Sequence, residues 1–230
     1  MIILGVECSA LSAGAAVLED GKLVAENFVN CGLTHSETLM PMIDSALKMA
    51  GKDIDDVDLI AVSDGPGSFT GLRIGIGTVK GLAMGAGKKV LGVSPLRALC
   101  FGVKGFGGKI AALMDARRGQ VYCAVYKWES DKLTEITEPS AMPLSELLMS
   151  LKDEEVMYVG DGASAFKEEI KEKQGNNAYF PSESFLFQRA SFIAAAAEDH
   201  EGIDEKLLQP FYLRRPQAER ERLEKGQNIE

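Results

Sequence analysis

The sequence predicts an α/β protein built from two similar halves. Short apolar runs typical of buried strands alternate with segments that carry apolar residues at helical spacing. An apolar strand that ends in a carboxylate occurs at 2–7 and again at 109–115, with Glu7 and Asp115 108 positions apart. A hairpin and a helix follow each copy. This repeated strand–hairpin–helix unit indicates an internal duplication.

The first half is predicted to contain two long helices among its strands. Thr34 and Glu37 have the spacing of a capping box, and Gly51 ends the apolar helical pattern that they begin. A later strand leads into a glycine-rich loop, which opens a second helix over about 70–86. The predicted strands of this half are 2–7, 13–18, 23–29, 59–63 and 90–93.

The second half repeats this order after a glycine-rich stretch at 102–108, and a further helix is expected to begin at Pro95. We place an N-terminal lobe at residues 1–104 and a C-terminal lobe at 105–230. The predicted strands are 109–115, 121–128, 133–136 and 156–159, and the predicted helices are 144–151, 164–173 and 191–198.

The amino-acid composition limits the kinds of molecule that the chain is expected to bind. The chain has 25 Lys and Arg against 34 Asp and Glu, a net charge of −9, so it is not expected to bind a nucleic-acid backbone on its own. Its four cysteines form no CxxC pair, which favours buried thiols in a reducing compartment over a zinc ribbon. No stretch approaches the ~20 apolar residues of a membrane span. We therefore expect a cytoplasmic protein that contacts no membrane.

The glycine-rich loop is the first candidate binding site. A loop that opens a helix directs free backbone N–H groups and the positive end of the helix dipole to one point, which suits an anion. The candidate contacts are Gly65, Gly67, Ser68 and Thr70. The loop lacks the Gly-Lys-Ser/Thr ending of a Walker phosphate loop, so the anion signal is weak, and Ser68 and Thr70 also suit helix capping.

The helix after this loop contains five glycines, and each costs roughly 1 kcal/mol relative to alanine in a helix interior. At about 100° per residue, one side of the helix carries only small residues, which allows another helix to approach closely. Two explanations remain open, namely packing within the chain and contact with another subunit. The residues on this side are Gly71, Gly75, Thr78, Gly81 and Gly85.

The evidence for catalysis or metal binding is weaker. Glu7 and Asp115 would face a central cleft in a two-lobed phosphotransferase, but two arginines follow Asp115 and can simply pair with it. His35 and His200 are the only histidines, so a metal site with three histidine ligands cannot be built. We predict no catalytic residue and no metal site.

Five segments of the chain together carry a family resemblance: ILGVECS at 3–9, HSETLMP at 35–41, GPGSFTGLRIG at 65–75, DARRGQVY at 115–122 and PFYLRRP at 210–216. With them, the chain resembles the TsaB (YeaZ) family of the bacterial tRNA threonylcarbamoyladenosine pathway over nearly its whole length. The first strand usually ends in Asp-Thr-Ser in such proteins, whereas this chain has Glu7-Cys8-Ser9.

The resemblance implies the two-lobed fold that acetate kinase, sugar kinases, Hsp70 and actin share, the ASKHA fold, in agreement with the duplication. It also implies a partner, the paralogue TsaD, which transfers the threonylcarbamoyl group to adenosine in tRNA. Two metal-binding histidines of that paralogue match Pro95 and Leu99 here, and neither residue can ligate a metal. The resemblance thus implies a non-catalytic scaffold and activator of TsaD.

The resemblance further implies that the two helices of the N-terminal lobe contact TsaD, or a second copy in a homodimer when TsaD is absent. It implies an ATPase called TsaE as a third subunit, and tRNA contact only through the complex. No cofactor is expected to bind tightly, and ATP or ADP is the candidate ligand at the partner interface. The implied interface residues are His35, Glu37, Leu39, Met42, Ile43, Ala46, Gly71, Gly75, Thr78 and Gly81.

The alternative hypothesis is an independent enzyme of the same fold, either an ATP-dependent small-molecule kinase or a metalloprotease-like enzyme. A kinase would need tight ATP binding by the isolated chain and a catalytic carboxylate. A metalloprotease would need zinc ligands, which the sequence lacks.

Overall fold

The computed structural model describes residues 1–32 and 34–214. Arg215 and Pro216 of the last motif lie outside the described residues. The strands of the described part are β1 (Ile2–Glu7), β2 (Ala13–Glu19), β3 (Lys22–Val29), β4 (Leu59–Ser63), β5 (Lys89–Val93), β6 (Lys109–Asp115), β7 (Gln120–Glu129), β8 (Lys132–Pro143), β9 (Val156–Val159) and β10 (Ala178–Tyr179).

Helices connect and cover these strands. They are α1 (His35–Met49), α2 (Phe69–Ala86), α3 (Pro95–Leu99), α4 (Leu144–Ser150), α5 (Asp161–Ala165), α6 (Lys167–Gln174), α7 (Glu183–Leu186) and α8 (Ala190–Ala195). No helix in the described ranges is both long enough and apolar enough to span a membrane.

The strands form two sheets with the same topology, which confirms the predicted duplication. The first sheet has the order β3-β2-β1-β4-β5, and the second has the equivalent order β8-β7-β6-β9-β10. In each sheet the first strand of the repeat pairs antiparallel with the second and parallel with the fourth. Glu7 and Asp115 end β1 and β6, so they occupy equivalent positions in the two lobes.

Both faces of the first sheet are covered, which explains why its central strands are continuous apolar runs. Leu4 and Val6 of β1 pack with Leu39 of α1 and Val79 of α2 on one face. Alternate residues of β1 point to the opposite face. There Ile3 packs with α8 and its neighbours. The second sheet packs against α4 and α6 on one side and against α3 on the other.

Two helix starts test the predicted caps. Thr34 is the N-cap of α1, but its side chain makes no capping hydrogen bond, so the capping box with Glu37 is not formed. The Glu37 backbone N–H donates to the Thr34 carbonyl oxygen instead, at 3.0 Å. Ser68 caps α2 as predicted, because its Oγ accepts from the Gly71 backbone N–H at 3.2 Å.

The described C-terminal segment returns from the second sheet to the first. After α8, Ile203 exchanges two backbone hydrogen bonds with Val90 of the edge strand β5, at 3.0 and 2.7 Å. Leu208 then enters the core beneath α2. The division of the chain after residue 104 stays a prediction, to which the structure adds that residues 203–208 pack on the first lobe.

A buried ion pair fixes the start of α8 on β3. The Glu26 side chain is 7% exposed and accepts from Arg189 Nη2 at 2.6 Å. It also accepts from the backbone N–H and the hydroxyl of Ser191, at 3.1 and 2.8 Å. The Arg189 guanidinium lies 4.9 Å from the ring centroid of Phe28. Arg189 Nε also donates to this carboxylate, at 3.1 Å, so four donor groups at the start of α8 depend on one carboxylate of the first lobe.

We predict that Glu26→Ala lowers the free energy of unfolding by about 3 kcal/mol, because it leaves a partly buried arginine unpaired and orphans the Ser191 N–H. Urea unfolding at neutral pH measures the change. The matched control is Glu172→Ala, at an exposed position of α6, which should stay within about 0.5 kcal/mol of the parent. Equal midpoints for the two variants would show that the ion pair does not anchor α8.

Candidate functional site

A cleft of about 510 Å³ lies between the two lobes. The glycine-rich loop and the end of β1 form one wall, and the turn between β6 and β7 forms the other. The described C-terminal segment lines its mouth. Among the lining residues are Ser9, Gly67, Asp115, Tyr122, Asp161 and Arg214.

Glu7 is almost completely buried at the end of β1, with 1% of its surface exposed. Its Oε1 accepts from the Ser9 backbone N–H, and its Oε2 has no hydrogen-bond partner among the described residues. Burial raises the pKa of Glu7 to about 7, and the nearby Asp161 carboxylate acts in the same direction. Glu7 therefore keeps its proton to a higher pH than an exposed glutamate does.

A second acid, Asp161 of the other lobe, lines the cleft itself. Asp161 Oδ1 accepts from Gln188 Nε2 at 2.6 Å, and burial raises the pKa of Asp161 to about 6. The hydrogen bond from Gln188 and one from the Asp115 backbone lower the pKa of Asp161, and the Asp115 carboxylate raises it by a smaller amount. Asp115 and Asp161 line the cleft, whereas Glu7 is buried and does not, so only one of the two strand-end carboxylates faces it.

Asp161 was not among the predicted site residues, although the sequence holds a signal for it. The Asp64-Gly65 pair follows β4, and the Asp161-Gly162 pair lies just after the equivalent strand β9. An Asp-Gly pair thus follows the fourth strand of each repeat, one residue after the end of β4 and two residues after the end of β9. Burial also raises the pKa of Asp64, to about 7. No set of three His, Cys, Asp or Glu side chains within residues 1–32 and 34–214 is grouped so as to hold a metal ion.

The glycine-rich loop is packed tightly against its own chain. A Cβ atom at Gly67 would overlap the Ser9 carbonyl oxygen, and one at Gly71 would overlap the Cys8 carbonyl oxygen. The Ser68 N–H already donates to the Ser9 oxygen at 2.7 Å. These glycines let α2 begin directly against the end of β1. The closest neighbours of these glycines are thus backbone atoms of the same chain, and not a space large enough for a phosphate group.

The four predicted anion contacts are distributed unevenly around the cleft. Gly67, Ser68 and Thr70 line it, and Ser68 and Thr70 are exposed. Gly65 is buried beneath Phe211, whose carbonyl oxygen fills the position that a Cβ would take. Anion binding at this loop stays a prediction, with three of its four residues suitably placed.

The apolar interface residues predicted on α1 require a correction. All four are buried in the chain's own core, against the first sheet and α2, so their side chains are not available to another protein. The apolar stripe of an amphipathic helix faces its own sheet first. His35 is half-buried with Nε2 2.9 Å from the Ala10 carbonyl oxygen, while Glu37 is exposed. The four buried residues are Leu39, Met42, Ile43 and Ala46.

The glycines of α2 also divide into two sets. Gly71 and Gly75 face inward, and a Cβ at Gly75 would overlap the sulfur of Cys8. Thr78 is half-buried. Gly81 is exposed, with nothing within 4 Å of a Cβ built on it. We call its side of the helix the exposed glycine stripe, which consists of Gly77, Gly81, Met84 and Gly85.

Comparison with known proteins places this geometry in a family. A family model described as "TsaD: tRNA N6-adenosine threonylcarbamoyltransferase" matches residues 30–221. The tRNA threonylcarbamoyladenosine biosynthesis protein TsaB of Bacillus subtilis is 31% identical, over 95% of this chain and 96% of its own length. The chain belongs to the TsaB family. Its Escherichia coli relative of the same name is 33% identical, over 75% of this chain and 76% of that protein.

Solved structures agree with this TsaB-family membership. YeaZ from Pseudomonas aeruginosa superposes with a TM-score of 0.76 at 26% identity, covering 92% of this chain and 99% of that chain. A second protein described as similar to peptidase YeaZ, also from P. aeruginosa, gives 0.79 at 27% identity, over 93% and 99%. The ethanolamine utilization protein EutJ of Carboxydothermus hydrogenoformans, at 14% identity and TM-score 0.53 over 85% and 90%, shares the fold alone. The two-lobed ASKHA fold is confirmed.

The buried acid of this TsaB-family chain predicts an unusual pH dependence. The folded state keeps the Glu7 proton up to about pH 7, whereas the unfolded carboxyl ionises near its usual value of 4.5. Stability should therefore fall as pH rises from about 4.5 to about 7. Glu7→Gln removes this loss, so we expect the variant to exceed the parent by up to about 3 kcal/mol above pH 7 and to match it near pH 4.5.

Thermal unfolding from pH 4.5 to 8 checks this expectation. Glu172→Gln, at an exposed site of α6, is the isosteric control and should follow the parent at every pH. A Glu7→Gln variant that is less stable than the parent at pH 8 would mean that the buried carboxylate is stabilised as the ion.

Proposed function

We propose that this chain is a non-catalytic scaffold and activator subunit in tRNA threonylcarbamoyladenosine biosynthesis, and that it docks a TsaD-type transferase through the exposed glycine stripe. The names of the B. subtilis and E. coli relatives supply the pathway. A transferase relative from Geotalea uraniireducens is 32% identical over 43% of this chain and 33% of its own length, as expected for paralogues that pair through related lobes.

The exposed glycine stripe is the observation that carries the docking proposal. A glycine in a helix interior costs roughly 1 kcal/mol relative to alanine. Gly71 and Gly75 offset this cost by close packing against Cys8. Gly77, Gly81 and Gly85 have open space where their Cβ atoms would lie, so nothing in the described chain offsets theirs. Close packing of a second protein against the helix backbone would offset the cost of these three glycines.

The neighbouring methionine suits the same role. Met84 lies on the exposed glycine stripe and is 73% exposed. An exposed methionine adds apolar area that becomes buried on docking, and its flexible side chain adapts to more than one surface. We propose that the same stripe pairs two copies of this chain when no transferase is present.

The proposed lack of catalysis rests on α3. Pro95 and Leu99, the two residues that match the metal-binding histidines of TsaD in the resemblance, begin and end this helix. Both are buried in the core, and neither side chain can bind a metal ion. In this account TsaE joins the complex in the cytoplasm and tRNA is held by the complex, because the net charge of −9 disfavours binding by this subunit alone.

A substitution on the stripe tests docking directly. Gly81→Trp places a large side chain in open space, so we expect an intact fold and binding to a TsaD-type partner weakened by at least about tenfold, since the helix backbone can no longer be approached. Size-exclusion co-elution and titration calorimetry measure the binding. The matched control is Gly107→Trp, an exposed glycine outside the helices that also has open space around its Cβ.

Both variants should keep the parent's circular dichroism and show a thermal midpoint within a few degrees of it. Docking of Gly81→Trp with parental affinity would exclude the exposed glycine stripe as the interface. Equal loss of docking in Gly107→Trp would show that the effect is not specific to α2.

The kinase alternative is favoured by one observation, the cleft that Asp115 and Asp161 line beside the glycine-rich loop. We propose that ATP or ADP is at most a weak ligand there, because the loop has no lysine and its closest approaches are made by the chain's own backbone.

Calorimetry of the isolated chain with ATP and magnesium separates the two functions. We expect a dissociation constant above about 1 mM, which corresponds to a binding free energy no more favourable than about −4 kcal/mol. Addition of the TsaD-type partner should be needed for any tighter binding. Micromolar affinity of the isolated chain would favour the kinase.

A further inference from the structure

The described C-terminal segment 209–214 crosses the mouth of the cleft, and its ends contact different lobes. We propose that this segment, the strap, is a latch that holds the two lobes together and limits the opening of the cleft. The latch stands on contacts within this chain and is independent of the docking proposal.

The first lobe holds the strap by backbone and aromatic contacts. The Phe211 N–H donates to the Asp64 carbonyl oxygen at 2.7 Å, and the Phe211 carbonyl oxygen rests on Gly65. The rings of Tyr212 and Phe69 lie with their centroids 4.9 Å apart. Only glycine fits at position 65, because its φ of +132° and the contact with Phe211 both exclude a side chain.

The start of α2 reinforces this first anchor. The Arg73 Nε donates to the Tyr212 hydroxyl at 3.3 Å, and its guanidinium carbon lies 3.9 Å from the Phe69 ring centroid. Tyr212 is thus held between an aromatic ring and a cation. Such contacts give the anchor two interactions besides the backbone hydrogen bond.

The second lobe holds the strap through one side chain. The Arg214 guanidinium donates to Gln120 Oε1 and lies 5.6 Å from the ring centroid of Tyr122, and both partners belong to β7. This anchor has no backbone hydrogen bond among those found for the described residues. It is therefore the weaker of the two, and the latch should release at Arg214.

The geometry leaves the lobes little freedom while both anchors hold. Tyr212 and Arg214 are two residues apart in the sequence, and two residues of fully extended chain span about 7 Å. The same two residues and Leu213 line the cleft together with Ser9 and Asp115. A wider opening of the cleft must therefore break one anchor, and any ligand that enters at this edge meets the strap first.

Hydrogen–deuterium exchange of the full-length chain tests the latch. Arg214→Ala should accelerate exchange by about fivefold in two separate segments, the β6–β7 turn at 116–120 and the glycine-rich loop at 65–70, because release of the lobes exposes both walls of the cleft. Arg214→Lys, which keeps a donor for Gln120, should restore most of the protection.

Gln209→Ala is the matched control, because Gln209 is an exposed residue of the same segment. Its exchange should equal that of the parent in both segments. Acceleration in Arg214→Ala that stays within 116–122 would show a local contact and overturn the latch. Unchanged exchange in both segments would overturn it as well.

Discussion

The close contact between the start of α2 and the end of β1 is the constraint on which the cleft depends. Gly67, Gly71 and Gly75 bring the helix so near to β1 that a Cβ atom at any of them would overlap Cys8 or Ser9. This contact places the Ser68 cap and orients the first turn of α2. It also leaves Glu7 sealed beneath Ser9, with its pKa raised to about 7 by burial.

The same contact explains how one helix serves three purposes. Its inward glycines pack on β1, its first turn supplies Phe69 and Arg73 to the strap, and its outward glycines remain uncovered in the described chain. A rigid helix that touches the cleft at one end and presents a smooth surface along its length is suited to connect a partner with the lobes.

The sequence predicted the framework well because the central strands are apolar on both faces. The bounds of β1, β4, β6 and β9 agree with the predicted ranges, whereas β8 is longer than predicted and the two-residue β10 was not predicted. The predicted helix at 164–173 is divided near Phe166 into α5 and α6. Short or interrupted elements such as these depend on tertiary contacts, which a local pattern does not contain.

The candidate site was predictable only in part, for reasons that can be named. Strand ends indicated Glu7 and Asp115, and the repeated Asp-Gly pair would have indicated Asp161. The pairing of Glu26 with Arg189 joins residues 163 positions apart and leaves no local signal. Apolar spacing placed Leu39 and Ile43 on one face of α1, but spacing alone does not say what covers that face; a partner was predicted, and the chain's own sheet covers it.

Reconstitution of tRNA modification tests the central claim most directly. A purified TsaD-type transferase, with threonylcarbamoyl-adenylate and tRNA as substrates, would be assayed with and without this chain. We expect that the chain alone forms no threonylcarbamoyladenosine and that the transferase needs the chain for full activity. Modification by the chain alone, or an unchanged rate when the chain is omitted, would contradict its role as a non-catalytic activator.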